Sequence, residues 1–276
     1  MKNLLLTMVL LSAGLAQQVS AQGDLLVSPV RVIFEGNKQK EEISLVNIGN
    51  DTTTYSVSFL QYNMNEDGKI ELIENPGEGQ KFADSYLRVF PRKVTLAPNE
   101  SQVVRLQLLR KPDMTSGEYR SHLYFRADKE SAPLSLGTKK DSKLMSVQIT
   151  PVFGISIPVI IRSGEVKVTS DLSDIRIEMQ DTTANLKFVI NRTGNISIYG
   201  DIVAEYVPLK GKPVQIGITR GVAVYTSITK RNFSVRLNTS GNINLNSGKL
   251  RVRFTSPKDS PYELYSEKEI VLKKGN

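Results

Sequence analysis

From Leu25 to Leu272 the apolar residues come in short runs with a period of two, separated by turns. No stretch shows the three-to-four spacing of a helix face. In the first half the runs are Leu25 to Phe34, Ile43 with Leu45 and Ile48, Tyr55 to Tyr62, Tyr86 to Phe90, Val103 to Leu109 and Tyr119 to Phe125. Asn65-Glu66-Asp67-Gly68 and Ala97-Pro98-Asn99-Glu100 carry turn chemistry between them. In the second half the runs are Ile175 to Ile177, Leu186 to Asn191, Ile196 to Val207, Val222 to Tyr225, Phe233 to Leu237, Leu250 to Phe254 and Leu264 to Leu272. Many short strands without helices predict an all-β chain of two sandwiches.

The first residues stand apart. Lys2, an apolar run from Leu4 to Leu15 and the small residues Val19-Ser20-Ala21 predict a cleaved secretory signal peptide over residues 1–21. Its apolar stretch is too short to span a bilayer, and no later one is longer, so membrane insertion is not expected. Of 276 residues, 255 then remain, enough for two cores. The chain has no cysteine, which excludes disulfides, thiol catalysis and thiolate metal sites. Net charge is +8, or +7 without Lys2, but the Lys and Arg residues are interspersed with acids. They read as solvated strand faces rather than as a nucleic-acid surface.

Residues 127–143 (ADKESAPLSLGTKKDSK) interrupt the strand pattern with charge, Gly and Pro, and form a long connection. The next segment, Met145 to Arg162, alternates over an unusual length. One parity holds Val147, Ile149, Pro151, Phe153, Ile155 and Ile157. A normal sandwich strand explains the alternation but not the length, since strands commonly run about 5–6 residues. A strand that outruns its sheet exposes backbone groups that another chain can pair with. Pro151 and Pro158 blunt that edge in part. Ser163-Gly164-Glu165 reads as the hinge, which divides the mature chain into residues 22–162 and 163–276.

Nothing points to an enzyme, and no cofactor or metal is expected. The single histidine, His122, lies inside a strand with no nucleophile and acid arranged around it in the sequence, and reads as a packed or surface side chain. There is no Gly-rich phosphate loop and no His-rich or Cys-rich metal signature. Asn191-Arg192-Thr193 and Asn195-Ile196-Ser197 match the glycosylation pattern but read as turn residues.

Several pieces, in order and at suitable spacings, resemble the periplasmic chaperones of the chaperone–usher pathway, most closely the archaic or alternative branch. They are Ser28-Pro29-Val30-Arg31-Val32-Ile33-Phe34-Glu35-Gly36, Leu96-Ala97-Pro98-Asn99-Glu100, Val103-Val104-Arg105-Leu106, Gly117-Glu118-Tyr119-Arg120-Ser121-His122-Leu123 and Ile157-Pro158-Val159-Ile160-Ile161-Arg162. In the second half they are Asn191-Arg192-Thr193-Gly194-Asn195 and Tyr199-Gly200-Asp201.

The resemblance implies two immunoglobulin-like sandwiches set as an L, in the periplasm. It implies capture of pilus or fimbrial subunits by donor-strand complementation and delivery to an outer-membrane usher. The donor row would be Val147, Ile149, Phe153, Ile155 and Ile157. The subunit's terminal carboxylate would be anchored by Arg31. The family's lysine anchor falls on Pro158, so Arg120 is the substitute, with an Arg120–Glu118 ion pair as the plainer alternative. Arg162 matches the family's interdomain structural arginine. Whether free molecules cap the donor strand by dimerising is left open.

Burying five large side chains is worth roughly 7–15 kcal/mol gross, against about 1.5–3 kcal/mol for a charge-assisted hydrogen bond. The row therefore drives binding and the anchor sets register. The rival reading is an exported scaffold or adhesin of the same shape, favoured by the missing lysine.

Overall fold

The computed structural model describes residues 24–128, 152–241 and 243–273. The predicted signal peptide, Val147 and Ile149 lie outside the described residues. Eighteen strands are formed among the described residues. The first half contains β1 (Leu25–Ser28), β2 (Val32–Phe34), β3 (Lys40–Asn47), β4 (Thr53–Leu60), β5 (Tyr62–Met64), β6 (Ile70–Leu72), β7 (Leu87–Phe90), β8 (Lys93–Leu96), β9 (Ser101–Leu108), β10 (Gly117–Ala127) and β11 (Gly154–Ser163). The second half contains β12 (Val168–Gln180), β13 (Thr183–Gly194), β14 (Ile198–Val207), β15 (Val214–Val224), β16 (Lys230–Leu237), β17 (Lys249–Thr255) and β18 (Leu264–Val271).

In the first sandwich, the sheet β1-β3-β9-β7 faces the sheet β2-β11-β10-β4-β8. The segment Leu25 to Phe34, read from the sequence as one strand, is two. A cis Ser28–Pro29 peptide separates them. β1 pairs antiparallel with β3, and β2 crosses to the other sheet to pair parallel with β11. Leu25, Val27, Val32 and Phe34 all enter one core with Ile43, Leu45, Leu106, Leu123 and Phe125. A strand that serves two sheets ties their edges together at one end.

The second sandwich packs β12-β13-β16 against β15-β14-β17-β18. Its core is separate and includes Leu172, Leu186, Phe188, Ile202, Val252 and Phe254. The β5–β6 hairpin leaves the first sandwich and docks on the second. The Asn232 backbone N–H donates to Glu66 O at 2.7 Å and its side chain to Asp67 at 2.9 Å, while the Ser227 hydroxyl donates to Met64 O at 3.3 Å. At the junction the Glu118 N–H donates to Asn195 O at 3.0 Å. Gly117, at φ +118°, makes this approach possible, because a Cβ there would lie 3.1 Å from the same carbonyl.

Candidate functional site

β11 changes character along its length. All of it pairs with β10, from Gly154 opposite Arg126 to Ser163 opposite Gly117. On its other side β2 covers only Val159, Ile160 and Ile161. The edge from Gly154 to Pro158 carries no ladder among the described residues. The apolar row leaves the core over the same stretch. Val159 and Ile161 are fully buried, Ile157 is 3 % exposed, Ile155 is half-buried at the core rim and Phe153 is 57 % exposed.

This corrects one expectation. Ile157 is not held out for a partner. It packs in its own core because β10 and the opposing sheet close over that level of the strand. Phe153 and Ile155 are the described members of the row that reach the open end.

The cleft beside this edge is built from alternation on β10. Odd-numbered Tyr119, Leu123 and Phe125 enter the core. Even-numbered Glu118, Arg120 and His122 face the second sandwich, as period two requires. Cross-strand pairing sets Arg162 opposite Glu118, Ile160 opposite Arg120 and Pro158 opposite His122 on the same face. Arg31, one residue before the Val32–Val159 pair, extends this face beyond β11.

The structure brings Arg31 and Arg120 together, and it also contains the plainer Arg120–Glu118 pair. Arg120 Nη2 and Nε donate to Glu118 Oε1 at 2.7 and 3.1 Å. Nη2 also donates to the Ser197 hydroxyl at 2.7 Å. Ser197 in turn donates to Glu118 Oε2 through its hydroxyl at 2.7 Å and its backbone N–H at 2.9 Å. Burial pushes the Glu118 carboxyl up, but Arg120 and the Ser197 hydrogen bonds outweigh it and hold the group below the ordinary carboxylate range.

The pair does not exhaust the cations. Arg120 Nη1 and Arg31 Nε are buried with no hydrogen-bond partner among the described residues. Tyr199 lies 4.2 Å from the Arg31 guanidinium, and Tyr225 lies 3.9 Å from that of Arg120. Aromatic faces offset part of the cost of burying a cation but accept no N–H in its plane. Desolvation, and then repulsion from Arg120, lower the Arg31 guanidinium to about 10. Two arginines against one carboxylate leave this face one charge in surplus, with donors to spare. That arrangement suits a small planar anion, and a carboxylate above all.

Arg162 pairs with Glu35, 3.2 Å away in the same sandwich, where Glu35 leaves β2 along the strand's outward face. Its charge also reaches Tyr265 of β18. Bonds between the sandwiches come from Glu118, Arg120, His122 and the β5–β6 hairpin. Sequence reasoning missed the parts supplied by the second sandwich, Ser197, Tyr199 and Tyr225. The usable signal was the polar row Glu118, Arg120 and His122 on a strand whose other face carries the apolar Tyr119, Leu123 and Phe125.

No protein-family model matches the sequence, and no curated protein matches it. Solved structures are similar to it at low identity. One is a chain of the CsuC–CsuE chaperone–tip adhesion subunit pre-assembly complex from archaic chaperone–usher Csu pili of Acinetobacter baumannii. It is 13 % identical, covers 88 % of this chain and 99 % of that one, and has a TM-score of 0.47. The YadV chaperone is 13 % identical, covering 91 % of this chain and 100 % of its own at TM-score 0.46. The Pseudomonas aeruginosa CupB2 chaperone is 12 % identical, covering 90 % and 100 % at TM-score 0.43.

Proposed function

We propose that this chain is a periplasmic chaperone that captures pilus or fimbrial subunits by donor-strand complementation and hands them to an outer-membrane usher. The observation that carries the proposal is the pairing of two features at one place. An open strand edge, with Phe153 and Ile155 emerging from the core, lies beside a buried cleft with unspent arginine donors. An incomplete sandwich needs both a strand with an apolar row and a fixed register. The open edge supplies backbone hydrogen bonds and the row supplies apolar contact. The subunit's C-terminal carboxylate, seated on Arg31 and Arg120, sets which residues face the groove. Ile157 belongs to the chaperone's own core and serves as the rigid root of the donor segment.

The test is co-purification from periplasmic extract with the wild type and with Phe153→Thr/Ile155→Thr. The wild type is expected to bring down, in equal amount, a small β-rich subunit lacking a strand of its fold, and the double variant to lose it. A wild type that purifies alone or with itself, or a double variant that retains the subunit, overturns the proposal. The first of those outcomes is what the scaffold reading expects.

A further inference from the structure

His122 is the chain's only histidine and is 6 % exposed, and its Nδ1 has no hydrogen-bond partner among the described residues. It stands where orphaned donors gather. Across three strands, Arg31, Pro158 and His122 lie side by side, with Arg120 one step along β10 on the same face. Pro158, in the middle of this row, has no N–H and no polar side-chain atom. The groups around the imidazole are Tyr62, edge-on at 4.8 Å, Tyr225, and the charges of Arg120 and Arg31. Glu118 is two positions beyond Arg120 and is engaged by Arg120 and Ser197.

Burial, with Arg120 and then Arg31, depresses the imidazole to about 3, so the ring is neutral at neutral pH. A neutral imidazole has one donor and one acceptor nitrogen. The Tyr225 hydroxyl lies 3.4 Å from Nε2. When that hydroxyl donates, Nδ1 carries the proton. Arg31 Nε and Arg120 Nη1 are likewise buried without a hydrogen-bond partner among the described residues.

We propose that His122 is the third donor of the cleft's carboxylate site, offering a neutral Nδ1–H beside the unspent N–H groups of Arg31 and Arg120. The inference rests on reading the cleft as a carboxylate site. A carboxylate has about four lone-pair positions on two oxygens, so three donors are within its capacity. A neutral third donor adds direction without adding a further buried charge to a site already in surplus. It also distinguishes a carboxylate from a spherical anion, which has no preferred donor geometry.

One histidine means one set of imidazole signals. The experiment is 15N NMR of the full chain at pH 7, labelled in the imidazole and guanidinium groups, titrated with acetate and, in parallel, with acetamide and chloride. The expected result is an Nδ1–H tautomer whose Nδ1 resonance moves with acetate and not with the two controls. His122→Asn, whose amide can donate from nearly the same position, is expected to keep acetate affinity within about twofold. His122→Leu is expected to lose about tenfold. An Nε2–H tautomer, an equal response to acetamide, or undiminished acetate binding by the Leu variant overturns the inference. If acetate still moves the Arg31 and Arg120 Nε signals in that event, the cleft remains a carboxylate site and only the role of His122 falls. If acetate moves neither arginines nor histidine, both readings fall.

Discussion

Two regions bury arginine in opposite ways. In the second sandwich Arg192 is 3 % exposed and spent on carbonyl oxygens. Its Nη1 donates to Gly194 O and Ile196 O at 2.8 and 2.9 Å, Nε to Ile228 O at 3.1 Å and Nη2 to Thr226 O at 3.3 Å. It clasps two loops together. In the cleft, Arg31 and Arg120 are half-buried against aromatic rings with donors left over. Burial alone therefore does not tell a structural cation from a binding one. Between Arg192 and the two cleft arginines, the difference lies in how many donors are satisfied.

The largest effect should come from breaking the clasp. Arg192→Met removes the donor from four carbonyls at once, and each buried acceptor left unsatisfied costs about 1–3 kcal/mol. Urea denaturation should show a large fall in midpoint with the slope unchanged. A loss under about 1 kcal/mol would mean the loops hold without it, and the contrast with the cleft would dissolve.

The next effect is on pH dependence, and it sharpens the contrast by reading the cleft's surplus charge. His122 has a folded pKa near 3, far below its unfolded value of about 6.5. Between those values the unfolded chain binds more protons. Stability should therefore be complete above about pH 6.5 and decline as pH falls toward 3, by at most about 1.4 kcal/mol per unit. Glu118, also depressed, adds a loss in the same direction once pH drops below the ordinary carboxylate range and through its folded value. His122→Asn should flatten the upper window between pH 6.5 and 5 and leave the lower loss in place. Equal slopes for wild type and variant, in urea midpoints taken at successive pH values, would show that burial and the two arginines do not depress this histidine.

The strands and two-sandwich plan were legible because alternation and turn residues are local. So was the long alternating row from Val147 to Ile157. The split between β1 and β2 was not. Both halves of Leu25 to Phe34 look equally apolar, and only the sheet that each one joins distinguishes them. Arg31 and Arg120 were picked out through resemblance, but the stacking of Tyr199 and Tyr225 on them was not foreseen. Sequence gives the face on which a residue lies, not which element of a second sandwich covers that face. Ile157 failed for a related reason. A period of two assigns it to the same side as Phe153 but says nothing about where along that side the core ends.

The smallest effect on stability should belong to Arg31→Met, and this is what makes it the most telling variant. Arg31 Nε makes no hydrogen bond among the described residues, and Arg120 repels its guanidinium. Removing the charge relieves that repulsion, and the Met side chain still packs against the Tyr199 ring. The stability change should stay within about 0.5 kcal/mol, against several for Arg192→Met. Capture should behave in reverse. Losing a charge-assisted hydrogen bond to a carboxylate weakens binding by about tenfold to a hundredfold. Lys111→Ala, an exposed change on the loop before β10, should alter neither. The measurement is urea denaturation beside binding of a peptide with a free C-terminal carboxylate and of its amidated form. If Arg31→Met unfolds as readily as Arg192→Met, the residue is structural. If it is stable but distinguishes the two peptides as the wild type does, its spare donor has no carboxylate to meet.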